Sequence, residues 1–400
     1  MFLTPYNQRK EGLVVEKRDL QPVGLESKLA GICLCLTFLF VVVLSEAGVF
    51  TAINPYWLRV SVIEAVTLVP TFVFLYMGKD QYVPMLRIKP AKIRVILMAV
   101  LVEICITPLI GLANMITTLF TPNVAEAAID VKSVDTPYGM MVIAMAVCPA
   151  IFEELASRGI LLSAFNRSGR KGAAIIYTAL CFALFHGNFN QMCYAFIVGV
   201  ATCVVVEASD SILTSVCMHF FTNFFSITFM YYMKYVDVAE MQTQELFGSS
   251  LGTAVDPQIP EEYLEAITTA GTIVGVILVV VLAFFGLVAA YRLVGRIAEA
   301  SGRYEYMKSV IPQVWVFRFK SVSRERLEER IRRAEMAKKT EGDATMVPAD
   351  GAVNTTVPAD ILADMPKRKI MNPFLALGIV LWIAYAILYE LAVHGVFNKL

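Results

Sequence analysis

Nine long apolar runs constrain this chain more than any other feature of its sequence. They lie near residues 29–50, 60–78, 95–119, 138–165, 172–188, 191–208, 211–233, 269–293 and 373–394. A helix needs about 20 mostly apolar residues to cross the hydrocarbon core of a bilayer, and it must satisfy its own backbone hydrogen bonds there. Since 57% of the residues are apolar and only 17% are charged, the sequence predicts an all-α, polytopic transmembrane bundle of about eight or nine spans.

Lysine and arginine are concentrated in alternate connecting segments. The chain has 34 Lys and Arg against 34 Asp and Glu, so its formal net charge is zero and no global basic surface indicates a nucleic-acid partner. Most basic residues fall before residue 29, within 79–94, at 167–171 and within 292–369. Because cytoplasmic loops are enriched in Lys and Arg, we predict a cytoplasmic N-terminus and an outer C-terminus. Since the sequence shows no eukaryotic cue such as a retention signal, we predict a location in a bacterial plasma membrane.

The apolar runs and the charged segments divide the chain into five parts. These are an N-terminal tail with three spans (1–136), a core of four spans (137–233), an acidic outer loop with the eighth span (234–293), a cytoplasmic insert (294–372) and a C-terminal span (373–400). Within the insert, residues 321–340 alternate acids and bases at helical i,i+4 spacing. The helix predicted there either contacts lipid or a partner helix or is simply solvated.

The small residues of the spans indicate packing rather than chemistry. All eight cysteines fall within apolar runs and none forms a Cys-x-x-Cys pair, so neither a disulfide framework nor a zinc ribbon is predicted. Gly271 and Gly275 in the eighth span have the spacing of a close helix contact.

Charged residues inside the spans are the best indicators of a functional site, because charge at membrane depth is costly unless it is paired or solvated. The fourth span contains Glu153, Glu154 and Arg158. Glu154 and Arg158 are four residues apart, so a helix would pair them on one face. Glu153 would point about 100° away and lack that partner, which suits a general base or acid in a dry pocket. The alternative is that all three form a structural salt-bridge cluster.

Histidines occur at similar depth in two other spans. His186 ends the fifth span after Phe182, and His219 and Asn223 lie four residues apart in the seventh. At helical rise, Glu153, His186 and His219 lie roughly 18, 21 and 12 Å from the cytoplasmic ends of their spans, which favours one shared cavity. Other acids within spans are solitary and receive no role: Glu46, Glu64, Glu103 and Glu390.

Together these patterns resemble the CAAX-protease and bacteriocin-processing (Abi) family. The resemblance rests on Glu-Glu-x-x-x-Arg, Phe-x-x-x-His and His-x-x-x-Asn, in that order, over residues 137–233. It implies an intramembrane endopeptidase that acts on a membrane-associated peptide or protein. By position, Glu153 and His186 would activate the attacking water, and His219 and Asn223 would stabilise the oxyanion. Glu154 and Arg158 would brace the site or position the substrate.

Several alternatives remain open at the level of sequence. The favoured mechanism needs no cofactor, but a glutamate and two histidines also make a zinc ligand set with an open position. A membrane scaffold or regulator that keeps the fold without catalysis is a second function, and a proton-coupled carrier is a third, because carboxylate and histidine chains also relay protons.

Overall fold

The computed structural model describes residues 13–14, 24–77, 83–122, 136–166, 170–247, 261–316, 356–357 and 370–393. Its helices are α1 (Gly24–Phe38, continued by Leu39–Val43 and Leu44–Glu46), α2 (Tyr56–Thr67), α3 (Val69–Met77), α4 (Ile93–Thr118), α5 (Tyr138–Asn166), α6 (Lys171–Leu184), α7 (Phe189–Ser209), α8 (Ile212–Phe247), α9 (Glu261–Ala300), α10 (Tyr304–Val316) and α11 (Pro373–Val393). Two two-residue strands, β1 (Leu13–Val14) and β2 (Thr356–Val357), pair antiparallel. The predicted all-α bundle is confirmed.

Six helices in the described ranges are long and apolar enough to cross a membrane, namely α4, α5, α7, the part of α8 up to Val236, the part of α9 from Thr268, and α11. The other predicted spans correspond to shorter helices. The fifth is the 14-residue α6. The second is divided between α2 and α3 around Leu68, because Pro70 has no N–H to continue a helical ladder. The predicted count of eight or nine spans is therefore not confirmed.

The predicted acidic outer loop begins and ends in helix. α8 continues to Phe247 and α9 begins at Glu261, because a polar helix remains stable beyond the membrane when its residues have good helical propensity. Residues 248–260, and the predicted charged helix at 321–340, lie outside the described residues. The five-part division of the chain stays a prediction.

The buried Glu207 carboxylate connects the ends of several helices on one side of the bundle. Glu207, at the end of α7, accepts hydrogen bonds from Arg87 Nη1 at 2.7 Å and Asn166 Nδ2 at 2.6 Å. Arg303 Nε donates to the backbone oxygen of Glu207 at 2.7 Å, and the Tyr306 hydroxyl donates to its side chain. Burial and the adjacent Glu207 carboxylate raise the pKa of Tyr306 well above its ordinary value. This cluster fixes α5, α7 and α10 relative to one another.

The opposite side of the bundle is joined by neutral hydrogen bonds. Asn190 Nδ2, at the start of α7, donates to Asn114 Oδ1 and Thr117 Oγ1 on α4, both at 3.0 Å. The hydroxyls of Tyr138 on α5 and Thr228 on α8 are 2.8 Å apart. These contacts show that α5 and α7 run parallel to each other and that α8 runs antiparallel to both, so residues in their middle turns meet inside the bundle.

Candidate active site

Glu154, Arg158 and His219 form a buried, directly bonded group. Glu154 Oε1 accepts from Arg158 Nη1 at 2.8 Å and from His219 Nδ1 at 3.0 Å. The Glu154 and Arg158 side chains are fully buried, and the His219 side chain is 6% exposed. The ion pair predicted from the i,i+4 spacing in α5 is therefore present, and it links α5 to α8.

Arg158 also joins α5 to α7. Its Nη1 donates to Ser157 Oγ at 2.7 Å, and its Nη2 donates to Thr202 Oγ1 at 2.5 Å and to the Gly199 carbonyl at 3.4 Å. The helix is π-helical over Leu155–Leu161, a local widening that the sequence pattern did not predict and that is frequent at functional sites. A planar guanidinium with five donors can satisfy such a set of acceptors, whereas a lysine ammonium cannot.

Glu153 lies beside this group without joining it. Its Oε2 is 4.0 Å from His219 Nε2, too far for a hydrogen bond, and the Glu153 side chain is 17% exposed. That oxygen is nevertheless buried and has no hydrogen-bond partner among the described residues. The structure thus places an unpaired carboxylate oxygen opposite a free imidazole nitrogen, with a gap between them.

His186 contacts the Phe182 ring, which in turn contacts His219. The Phe182 ring lies edge-on to the imidazoles of both His186 and His219, with centroid distances of 5.2 and 5.8 Å, and the Arg158 guanidinium lies 4.1 Å from its centroid. His186 Nδ1 is 3.0 Å from the Phe182 carbonyl oxygen. A carbonyl can only accept, so Nδ1 carries the proton and Nε2 is the acceptor in the neutral ring.

Asn223 lies one turn beyond His219 on α8 and is partly buried. Its amide makes no hydrogen bond within the part of the chain that the structure describes. The structure therefore brings Glu153, Glu154, Arg158 and His219 into direct proximity. It places His186 across Phe182, and it leaves the Asn223 amide unengaged.

Two acids that received no role from the sequence also border the site. Glu103 on α4 is 1% exposed, and both of its carboxyl oxygens are buried without a hydrogen-bond partner among the described residues. It lies within electrostatic range of His219 and Glu154, as Glu64 on α2 does of Glu153. Their position within spans was a signal, but only helix packing shows which spans face each other.

The alternative of a zinc site has no grouped ligand set within the described ranges, where no three His, Cys, Asp or Glu side chains are arranged to hold a metal ion. The dependence of the protein on a cofactor stays a prediction. All eight cysteines are free thiols.

Comparison with known proteins identifies the segment that carries this site. Residues 136–225 match the family model described as type II CAAX prenyl endopeptidase Rce1-like. The matched segment contains both glutamates, Arg158, both histidines and Asn223. No curated protein and no solved structure matches the chain. The chain is therefore a multi-pass membrane protein, and its residues 136–225 are similar to the Rce1-like type II CAAX prenyl endopeptidases.

Proposed function

We propose that this protein is an intramembrane endopeptidase that hydrolyses a membrane-associated peptide or protein with water activated by Glu153 and His186. One observation carries the proposal. The buried Glu153 Oε2 has no partner among the described residues and faces His219 Nε2 across 4.0 Å. A water molecule about 2.8 Å from each atom would hydrogen-bond to both. It would then lie beside the Glu153 carboxylate, which is the proposed general base.

The first chemical step is attack on the scissile carbonyl. Glu153 takes one proton as the water oxygen bonds to the carbonyl carbon, and the carbonyl π electrons move to its oxygen. The tetrahedral intermediate then collapses, the C–N bond breaks, and the proton held by Glu153 passes to the leaving amine. A second acid or base on the opposite side of the substrate can take part in this proton transfer. His186 is suited to that role, because its Nε2 makes no hydrogen bond among the described residues.

His219 is proposed to stabilise the oxyanion. Its Nδ1 donates to Glu154, so a proton on Nε2 makes the ring an imidazolium. Glu153, Glu154 and Arg158 together carry a formal charge of −1 when ionised, and a protonated His219 would neutralise this buried group, which otherwise would be costly. The Asn223 amide, one turn away, supplies a second donor without competing bonds among the described residues.

Glu154 and Arg158 are proposed to brace the site. Glu154 Oε1 holds the His219 ring through Nδ1, and Arg158 holds Glu154 while bonding to α7. This arrangement fixes the tautomer and orientation of His219, as the buried aspartate of a Ser-His-Asp triad does for the catalytic histidine. The substrate would reach the site from the bilayer, and we place the protein in a bacterial plasma membrane.

A cleavage assay with two site variants tests the proposal. In proteoliposomes containing a membrane-anchored reporter peptide, Glu153→Gln and His186→Ala should each lower kcat/KM by about 10²–10⁴-fold, the usual contribution of a general acid or base. Glu299→Gln on the exposed face of α9 is the matched control and should retain activity. Melting temperatures should stay similar. Full cleavage by Glu153→Gln would remove the proposal and favour a non-catalytic scaffold.

Metal content tests the metal-free form of the mechanism. The purified protein is expected to hold less than stoichiometric zinc and to keep its activity after chelator treatment. Stoichiometric zinc, with activity lost on chelation and restored by zinc alone, would replace water activation by Glu153 with activation by the metal.

A further inference from the structure

The C-terminal helix α11 contacts the turn that carries His186. This helix lies far beyond the matched residues 136–225, and no sequence motif connects it with the site. The turn between α6 and α7, residues 185–188, leads directly from His186 to the start of α7. Three side chains of α11 contact it or the residue that follows it.

Two aromatic residues of α11 pack against the turn on either side of His186. The rings of Trp382 and Phe185 are 5.6 Å apart between centroids, and Trp382 is 1% exposed. Gly187 has a φ of +68°, and a Cβ built there would lie 2.7 Å from Tyr385 Cε1. A side chain at residue 187 would therefore meet both backbone strain and the Tyr385 ring, so the turn is tightly fitted to α11.

Glu390 binds the backbone just after the turn. Its Oε1 accepts the N–H of Phe189 at 2.8 Å, and Glu390 is 9% exposed. Phe189 is the first residue of α7, so its N–H has no partner inside the helix. A carboxylate at this end also interacts favourably with the helix dipole.

Asn188 completes the arrangement between His186 and Phe189. Its Oδ1 accepts from the Gln191 N–H at 2.9 Å as the N-cap of α7, and its Nδ2 donates to the His186 carbonyl at 3.0 Å. The backbone of His186 is thus tied to the start of α7, and the start of α7 is tied to Glu390. A displacement of Phe189 would move His186 through this short connection.

α11 itself is packed against α1. Gly31 of α1 approaches so closely that a Cβ there would lie 2.5 Å from Leu375 N, and one at Gly378 would lie 2.8 Å from Leu34 Cδ2. The Tyr385 hydroxyl donates to Glu46 Oε1 at 3.0 Å. Since α1 and α11 are packed backbone to backbone, Glu390 is presented to α7 from a fixed position.

We infer that Glu390 is a positioning residue for His186, and that α11 is therefore a working part of the proteolytic site rather than an added membrane anchor. The inference rests on the proposed role of His186. Glu390 acts on the start of α7 and not on the reacting atoms, so its loss misplaces the imidazole without removing it. Misplacement of a catalytic group by about 1 Å can cost roughly 10²-fold in rate.

Three substitutions of Glu390 separate positioning from general support. Glu390→Gln keeps a carbonyl oxygen within reach of the Phe189 N–H and should retain most of the activity. Glu390→Asp keeps the charge but is shorter by one methylene, and Glu390→Ala removes the acceptor. Both should lower kcat by about 10²-fold with little change in KM. Glu46→Gln, which alters a different contact of α11, is the matched control and should remain active.

A double variant tests whether the effect passes through His186. In the His186→Ala background, Glu390→Ala should cause no further loss of the residual cleavage, because there is no imidazole to misplace. An additional 10²-fold loss there, or equal activity of the Asp and wild-type proteins, would overturn the inference. If Glu390→Ala fails to fold, the comparison of Asp with Gln decides. An inactive Glu153→Gln with a fully active Glu390→Ala would refute only this inference, whereas a fully active Glu153→Gln would refute the proposed function.

Discussion

Arg158 illustrates, at the scale of a single residue, how a charge is retained inside an apolar bundle. The side chain is fully buried, and its two terminal nitrogens bond to Glu154, Ser157, Thr202 and the Gly199 carbonyl. Each of these hydrogen bonds replaces one that water would have made. The desolvation cost of the guanidinium is therefore offset only while all of these bonds are present. The residue is consequently a brace, and its removal should affect stability first.

Arg158→Met should destabilise the protein by about 3–5 kcal/mol, because it leaves Glu154 as a buried charge without its guanidinium. The double variant Glu154→Gln/Arg158→Met should recover part of this loss, since no unpaired charge then remains. Denaturant unfolding in detergent measures both, with the exposed Arg292→Met on α9 as the control. A double variant less stable than Arg158→Met alone would contradict the account.

At the scale of helices, close crossings depend on which glycines face a neighbour. The spacing of Gly271 and Gly275 predicts a close helix contact, but among the described residues a Cβ at either position would have no atom within 4 Å, apart from the helix itself and the adjacent residues. Gly286, on the same helix α9, instead lies directly against the backbone oxygen of Cys105 on α4. The spacing prediction was wrong because a Gly-x-x-x-Gly pattern specifies a smooth face and not the presence of a partner.

Gly286→Leu should therefore destabilise the protein by about 1–3 kcal/mol, the usual cost of overpacking, because α9 must move away from α4. Gly275→Leu on the same helix should be close to neutral in detergent. Thermal unfolding of the two variants makes the comparison. Equal losses from both would contradict this account, because Leu has a higher helical propensity than Gly and only the crossing distinguishes the two positions.

At the scale of the whole molecule, the helix ends separate into a charged side and a neutral side. The charged side contains Arg87, Glu207 and Arg303, while the opposite side is joined through Asn114 and Asn190. The enrichment of Lys and Arg predicts that the charged side is cytoplasmic. The structure supports the division into two sides, and the orientation of the protein in the membrane stays a prediction.

Cysteine labelling in intact cells tests this orientation. In a variant lacking the eight native cysteines, a membrane-impermeant maleimide should label Phe120→Cys, whose native side chain is 73% exposed at the end of α4. It should label Glu305→Cys, at the start of α10, only after the cells are permeabilised. The reverse pattern would invert the assigned topology.

Much of the site could be predicted because its signals are local. The Glu154–Arg158 pair follows from helical spacing within α5, and the depths of Glu153 and His219 follow from residue counts along their helices. Glu64 and Glu103 could not be assigned, since each is a single acid on its own helix. Their proximity to Glu153 and to His219 depends on contacts between helices that lie far apart in the sequence.

The sequence by itself determined that this chain forms a helical membrane bundle, and it indicated that the charged residues and histidines of the fourth, fifth and seventh spans are candidates for one site. Apolar runs of membrane length permit only helices, and burying charge in hydrocarbon is too costly to occur without pairing or function. Only the tertiary structure decided which helices meet, including the contact of α11 with the His186 turn. Which helices meet depends on the shapes of their facing surfaces, such as the fit of Gly187 against Tyr385. The periodicity of one helix does not specify which other helix packs against it.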